Sequence, residues 1–151
     1  MALVGLFQVS VKIILKKKDG KILILKNPKT SDDDQFWDLP GGRLNNDEFD
    51  APYQDLVDRE LREELGDRVR CKLAFDPASF GRHTFRPSPS GPLTQVFYLL
   101  LPARYLGGRI KVSKEHAGHK WVRIEQIQLQ KYFTSGILES LQRYRYHRTE
   151  H

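Results

Sequence analysis

The sequence pattern predicts a single α/β domain, because its elements follow one another in the order strands, helix, strands, helix. Two observations carry this prediction. Apolar and polar residues alternate over several short runs, and two longer runs repeat their apolar residues at helical spacing. The chain of 151 residues is long enough for one domain with a sizeable core. Spacing alone leaves an α+β arrangement and a mixed arrangement of the sheet both open.

The first quarter of the chain has the pattern of a strand hairpin. Apolar and polar residues alternate over residues 7–13, which predicts a half-buried strand. Asp19-Gly20 is a strong hairpin signal, and residues 22–25 return as the second strand. Residues 26–35 are polar and include three consecutive aspartates, so we expect an exposed loop there rather than a metal site. A short strand at residues 36–39 follows.

The central helix is predicted over residues 50–65. Asp50 and Pro52 supply a capping residue and an early proline, as helix starts commonly do. Gly66 is placed to close the last turn. The apolar stripe that should face the core recurs at four-residue steps: Val57, Leu61 and Leu65.

The second half of the chain alternates strands with loops and ends in a helix. We predict a strand at residues 69–75, a long loop at 76–92 because Pro, Ser and Gly are frequent there, and a central, strongly hydrophobic strand at 93–101. Short strands at 110–112 and 121–124 follow. A C-terminal helix is predicted because apolar residues recur at helical spacing: Ile137, Leu138, Leu141 and Tyr144. The basic tail at 143–151 is expected to fray.

Three glutamates near the end of the central helix fall on one side of it. Glu60, Glu63 and Glu64 span an arc of about 100° on a helix with 3.6 residues per turn. Arg59 precedes Glu63 by four residues, so these two side chains can meet. Neighbouring carboxylates repel each other, whereas a hard divalent cation that prefers oxygen ligands would make the cluster favourable. The helix alone leaves open a metal site or a solvated, charged face.

The residues before this helix favour the metal site. The Pro-Gly-Gly turn at residues 40–42 allows the backbone to approach a ligand closely. Gly42, five residues, Glu48, and then the run Arg-Glu-Leu-Arg-Glu-Glu-Leu-Gly at 59–66 resemble the Nudix box. The chain departs from that pattern twice: ten residues rather than seven separate Glu48 from the run, and Asp67 stands where an aliphatic residue is expected.

This resemblance implies the Nudix α/β/α sandwich, in which a mixed sheet lies between helices, over about residues 7–145 of one domain, 1–151. It also implies metals on Glu60 and Glu64, with Glu63 in the same shell. By the same resemblance, the backbone carbonyl of Gly41 lies beside the metals and Arg59 orients a glutamate. Glu48 and Gly42 are the supporting residues.

Five residues outside the box are weighed as further candidates. Glu115 resembles the glutamate that several Nudix enzymes supply from a later loop, as a metal ligand or as the base; an exposed loop glutamate is the alternative. Arg82 and His83 could meet substrate phosphates, although plain solvated charge fits the predicted loop equally well. His116 and His119 have metal-like spacing, but no second pair of ligands accompanies them, so we expect surface histidines.

Composition limits the cellular compartment and the kinds of binding partner that we expect. The one cysteine, Cys71, excludes an internal disulfide and fits a reducing compartment, so we expect a cytoplasmic protein. No run approaches the ~18 apolar residues of a membrane span, and the N-terminus lacks the charged start of a signal peptide. The 25 basic and 19 acidic residues give a net charge of +6, which suits polyanionic partners. The pattern predicts no particular oligomeric state.

We therefore expect a Mg²⁺- or Mn²⁺-dependent Nudix hydrolase that acts on phosphoanhydride bonds and cleaves a nucleoside diphosphate linked to another moiety X. An enzyme acting on the 5′ end of RNA is the second hypothesis, based on the charge. A third is a module that binds an ADP-ribose-like ligand without hydrolysis, which the intact glutamates disfavour. Isopentenyl diphosphate isomerases share the fold family but need a suitably placed cysteine, and Cys71 is predicted in a core strand.

Overall fold

The computed structural model describes residues 2–28, 36–74 and 76–149. The three aspartates at 32–34 and Phe75, for which we predicted a loop and a strand position, lie outside these ranges. No helix among the described residues is long and apolar enough to cross a membrane. The elements are, in chain order, β1 Gln8–Lys16, β2 Ile22–Lys26, β3 Trp37–Asp38, β4 Gly41–Arg43, α1 Tyr53–Leu65, β5 Arg70–Leu73, β6 Ser79–Phe85, β7 Thr94–Gly107, β8 Gly118–Val122 and α2 Ser135–Thr149.

The strands form one mixed sheet in the order β3-β2-β1-β7-β5. β1 runs parallel to β7, with Gln8 opposite Val96 and Lys16 opposite Arg104, and the other strand pairs are antiparallel. β4 also pairs with β1, β6 with β7 and β8 with β2. The predicted mixed sheet is confirmed, and the turn at Asp19-Gly20 joins β1 to β2 as expected.

The helices cover opposite faces of this sheet. Alternate residues of β1 point to alternate faces: Ile13 packs in the cluster that contains Leu61 of α1, and Ile14 packs in the cluster that contains Leu141 of α2. β1 is thus buried on both faces, and the prediction of a half-buried strand is wrong. Parallel pairing with β7 places β1 inside the sheet, where even Lys12 is buried.

The buried Lys12 has a carboxylate partner. Its Nζ lies 2.8 Å from Asp38 Oδ2 at the end of β3. Burial lowers the pKa of Lys12, but the charge and the hydrogen bond of Asp38 outweigh burial and hold this pKa above its usual value. The polar position in the alternating pattern of β1 is therefore satisfied inside the protein and not by solvent.

The predicted loop at 76–92 contains a strand, β6, which pairs with β7 along Ser79–Phe85. The sequence signal was hidden because small residues occupy the inward positions. Ser79 Oγ donates to the Ser140 carbonyl at 2.8 Å, and a Cβ on Gly81 would lie 2.0 Å from Ser140 Oγ. Since α2 packs closely on β6, an apolar side chain at Gly81 has no room, and the usual alternation of apolar residues is absent.

Two further predictions in this half are wrong. Residues 110–112 form no strand; they belong to a loop whose amides bond to the end of α1. The tail does not fray before Thr149, because α2 continues to that residue with Tyr144 buried on the sheet. The central helix is confirmed, although its N-cap is Pro52 and not Asp50, and the Gly66 N–H closes it on the Arg62 carbonyl at 3.1 Å.

Replacing Gly81 by alanine is expected to destabilise the protein by about 1–3 kcal/mol, because the added methyl group overpacks the contact between β6 and α2. Denaturant unfolding measures the loss. Gly118→Ala is the matched control, since a Cβ at Gly118 meets nothing within 4 Å. Equal stability of the two variants would contradict the close approach.

Candidate active site

α1 presents its glutamates at one end of the sheet. Val57, Leu61 and Leu65 face the core, as the stripe predicts, and the carboxylates lie on the adjoining side. Glu60 and Glu64 are one helical turn apart and buried, with 5% and 6% of each residue exposed. The side chain of Glu63 is 58% exposed. The arc predicted from helical spacing therefore holds two buried carboxylates and one at the surface.

Arg59 connects the carboxylates around it. Its Nη2 lies 2.8 Å from Glu48 Oε1 and 2.8 Å from Glu60 Oε1, and its Nη1 lies 3.0 Å from Glu63 Oε2. Hydrogen bonding to Glu48 is the largest of the effects that raise the pKa of Arg59, and the same bond lowers the pKa of the Glu48 carboxyl. The guanidinium is thus the shared counter-charge of three glutamates.

Glu48 reaches this position in spite of the longer loop. It ends a 3₁₀ turn, Asn46–Glu48, and its Oε1 also accepts the Asn45 N–H at 3.0 Å. The additional residues are accommodated between this turn and the start of α1 at Tyr53. The spacing in the box is changed, but the contact between Glu48 and Arg59 is made.

The glycine turn lies against the same carboxylates. Residues Gly41–Arg43 form β4 rather than an open bend, with Gly41 opposite Lys12 of β1. The Gly41 N–H donates to Glu64 Oε2 at 2.7 Å. Gly41 has φ of +134°, and a Cβ there would lie 2.0 Å from the Val11 carbonyl oxygen. A Cβ on Gly42 would lie 2.8 Å from Glu60 Oε2. Gly41 therefore allows β4 to lie close to the backbone of β1, and Gly42 leaves room for the Glu60 carboxylate.

The loop after β7 completes the cleft. The Lys111 N–H donates to the Leu65 carbonyl at 2.9 Å and the Ser113 N–H donates to the Glu64 carbonyl at 2.8 Å, so the loop occupies acceptors that the helix end leaves open. Glu115 follows directly and lines the cleft beside the box residues. The whole lining is Gly41, Gly42, Arg43, Asn45, Arg59, Glu60, Glu63, Glu64 and Glu115.

His116 is the residue that sequence reasoning missed. Its side chain is only 8% exposed and its Nε2 lies 3.1 Å from Glu64 Oε1, so the expectation of a surface histidine is wrong for His116. It is correct for the exposed His119. Ligand atoms of Glu64, Glu115 and His116 all lie within 4.8 Å of one another. The Nδ1 of His116 is buried without a partner among the described residues.

Arg82 and His83 lie elsewhere, on β6 and not in a loop. Neither lines the carboxylate cleft. His83 Nδ1 lies 2.6 Å from Ser135 Oγ, and its ring stacks beside Phe85 and Tyr98 with centroids 5.8 and 6.1 Å away. Burial lowers the pKa of His83, and Asp38 and Lys12 act on it in opposite directions. The side chains of His83, Phe85 and Tyr98 thus form a set of nearly parallel rings on the α2 side of the sheet.

The family model of the NUDIX domain matches residues 6–144.

The chain belongs to the Nudix family.

Among curated relatives, the CTP pyrophosphohydrolase of Escherichia coli (strain K12) is 43% identical over 58 residues, which is 38% of this chain and 41% of that protein. The 8-oxo-dGTP diphosphatase of Proteus vulgaris is 34% identical over 88 residues, 58% of this chain and 70% of that protein. The match to the first relative thus spans less than half of its length.

The fold also agrees with solved Nudix structures. The MutT protein from Methanosarcina mazei Go1 has a TM-score of 0.69 at 25% identity, over 97% of this chain and 99% of that chain. The predicted family and the Nudix sandwich fold are confirmed.

The donor set of this Nudix site fits a hard divalent cation. Carboxylate oxygens are the ligands that Mg²⁺ and Mn²⁺ prefer, and the buried pair Glu60 and Glu64 would supply them. The pKa of Glu60 is raised to about 7, mainly by burial and also by the charge of Glu64, although Arg59 acts to lower it. A buried carboxylate that is costly to ionise becomes favourable when a cation is bound beside it.

The metal-free protein is expected to lose stability as the pH rises from about 4.5 to about 7. The folded state keeps the proton on Glu60 in this window, the unfolded state has released it, and ionisation therefore favours unfolding. Glu60→Gln should remove this component of the pH dependence, and the exposed Glu63→Gln is the control. Thermal unfolding in chelator at the two ends of the window measures it; an unchanged pH profile in Glu60→Gln would contradict the assignment.

His116→Ala is expected to weaken binding of Mn²⁺ by roughly 10–100-fold, the usual cost of losing a group that orients or supplements a metal ligand. His119→Ala, which alters an exposed histidine of the following strand β8, should leave binding unchanged. Calorimetric titration with Mn²⁺ compares the two variants without any turnover. Equal affinities would remove His116 from the site.

Proposed function

We propose that this chain is a Mg²⁺- or Mn²⁺-dependent hydrolase that cleaves a phosphoanhydride bond in a nucleoside diphosphate linked to another moiety X. The observation that carries this proposal is the buried pair Glu60 and Glu64, one helical turn apart in an open cleft. Two buried like charges destabilise a fold, and a cation bound between them would offset that cost.

The chemistry needs charge neutralisation and a proton acceptor. Glu60 and Glu64 would hold a divalent cation, which when bound would neutralise charge on the phosphate oxygens and polarise phosphorus. The Gly41 N–H and His116 Nε2 each contact one oxygen of Glu64, so this carboxylate is held from both sides. Arg59 bonds to Glu60 and positions it. Arg59 is therefore a positioning residue in this proposal, and Glu48 fixes Arg59 in turn.

Glu115 is our candidate for the general base. It is exposed at the cleft and belongs to a different element from the helix glutamates. Carboxylates bound to a cation are poor bases, and a carboxylate that reaches in from a loop is free to accept the proton of the attacking water. Glu63, which is also exposed but pairs with Arg59, is the alternative base.

The relatives and one surface of the protein support a nucleotide as the substrate. The two curated relatives are named for CTP and for 8-oxo-dGTP, so nucleoside triphosphates are the first substrates to test. The nearly parallel rings of His83, Phe85 and Tyr98 would suit a flat nucleobase, and Arg82 is the neighbour of His83 on the same strand. This keeps Arg82 and His83 as proposed substrate-binding residues.

The other hypotheses remain as alternatives of unequal support. An RNA 5′ end as substrate is favoured by the +6 charge. A non-hydrolytic module that binds an ADP-ribose-like ligand has no need of the buried glutamates. An isomerase of the isopentenyl diphosphate type would need a reactive thiol, whereas burial raises the pKa of Cys71 to about 11 and Cys71 does not line the cleft. A single, protected thiol suits the proposed cytoplasmic location.

A panel of nucleotides tests the function directly. Nucleoside triphosphates, 8-oxo-dGTP, ADP-ribose and a dinucleoside polyphosphate are incubated with Mg²⁺ or Mn²⁺, and the products are resolved by chromatography. We expect metal-dependent cleavage of at least one of them and its loss in Glu60→Gln and in Glu64→Gln, with the fold of both variants intact by circular dichroism. Near wild-type turnover in both variants would refute the metal assignment, and tight binding without products would favour the binding module.

Glu115→Gln is expected to lower kcat by roughly 10²–10⁴-fold, the usual worth of general acid–base catalysis. KM should change little, because the lost interaction belongs to the transition state. Glu63→Gln, measured alongside at saturating Mg²⁺, is the matched comparison. A Glu115→Gln enzyme within about threefold of wild type, far from the range expected for a lost base, would return the role to Glu63.

A further inference from the structure

Three cationic side chains lie side by side across one end of the sheet. Lys16 of β1 is opposite Arg104 of β7, and Arg104 is opposite Lys72 of β5. Residues that are opposite each other on neighbouring strands point to the same face. With strands about 4.8 Å apart, the three side chains form a row roughly 10 Å long, which we call the cation row.

The cation row has no carboxylate partner in the part of the chain that the structure describes. Arg104 and Lys72 take part in none of the ion pairs there, and both are exposed. The Nζ of Lys16 lies 3.4 Å from the Tyr144 hydroxyl. Like charges directly opposite each other on neighbouring strands destabilise a sheet. The fold therefore does not need this row, and an anionic ligand would reverse its cost.

The Tyr144 hydroxyl gathers further positive charge at this end. It accepts hydrogen bonds from Lys16 Nζ and from Arg148 Nη1, the latter at 2.9 Å, while Arg148 also lies 3.7 Å from a Glu125 oxygen. The hydroxyl has a proton of its own to donate. No acceptor for that proton exists among the described residues, so a phosphate oxygen would complete its hydrogen bonding.

A pocket opens beside the cation row and indicates the kind of anion. Lys17 and Lys18 join the row in lining it, and Leu73, Ala74 and Pro102 add apolar surface. A bare phosphate chain would use only the cations. A single-stranded nucleic acid alternates phosphates with sugars and bases, so it would use both the cations and the apolar surface.

We propose that the cation row and this pocket bind the phosphate backbone of a single-stranded nucleic acid. Lys16 contacts Tyr144 of α2, so the row lies on the face opposite α1 and its glutamates. A nucleic acid held there leaves the carboxylate cleft open. This inference goes beyond the proposed hydrolysis and does not depend on which phosphoanhydride the cleft cleaves.

The test is fluorescence anisotropy with a short single-stranded RNA that carries a 5′ hydroxyl and so offers the cleft no phosphoanhydride bond. We expect binding at low salt that weakens as salt rises, because phosphate contacts release counterions. The double variant Lys72→Gln with Arg104→Gln should bind at least about tenfold more weakly, and its log–log salt slope should fall by roughly 1.4, that is about 0.7 for each lost contact.

Arg68→Gln with Arg109→Gln is the matched control, because these exposed arginines line a different cleft and their loss changes the net charge equally. Its affinity for the RNA should equal that of the wild type. The row variant should keep its nucleotide hydrolysis and, at low salt, a melting temperature equal to or above that of the wild type, since like-charge repulsion is removed.

Three results would overturn the proposal: no binding at low salt, equal weakening in both double variants, or displacement of the RNA by nucleoside triphosphate or inorganic polyphosphate at equal phosphate concentration. The last result would assign the row to phosphate chains in general. Hydrolysis without RNA binding would refute the inference and leave the proposed function standing, and RNA binding without hydrolysis would do the reverse.

Discussion

The site depends on the counter-charge of Arg59. Its guanidinium contacts Glu48, Glu60 and Glu63 at the same time, which its rigid fork of five donors permits and a lysine would not. Removing one partner of a buried ion pair leaves an uncompensated charge, and Glu60 is already costly to ionise. The arginine therefore offsets part of the repulsion among the carboxylates, while, among the described residues, the four glutamates that line the cleft outnumber its two arginines and leave it able to attract a cation.

Much of this arrangement could be predicted from the sequence, because it is local. Helical spacing alone places Glu60, Glu63 and Glu64 on one side of α1, and Arg59 next to Glu63. The contact from Glu48 to Arg59 crosses a loop of changed length, so spacing could not establish it. His116 meets Glu64 across 52 positions of the chain, and nothing in its neighbours marks it as buried. Such a contact exists only after the loop has folded onto the helix.

In the fold, too, elements that depend on neighbouring residues could be predicted, and features that depend on distant parts of the chain could not. Hairpin and helix signals located β1, β2 and α1, since each depends on neighbouring residues. β1 was predicted half-buried because its polar positions read as solvent-facing, whereas Lys12 is paired with Asp38 inside the sheet. The sequence pattern does not reveal β6, because small residues at Ser79 and Gly81 are required by the close packing of α2. That helix follows more than fifty residues later in the chain.

The loop that carries Glu115 has a consequence for motion. Its amides at Lys111 and Ser113 bond to the carbonyls of Leu65 and Glu64, so the end of α1 and the loop satisfy each other's backbone. Opening one releases the other, and the two segments should behave as one cooperative unit in which amide protons exchange together. The carboxylate on the loop and the carboxylate on the helix then keep their separation while the unit stays closed. When the unit opens, the two carboxylates leave their positions in the cleft in a single event.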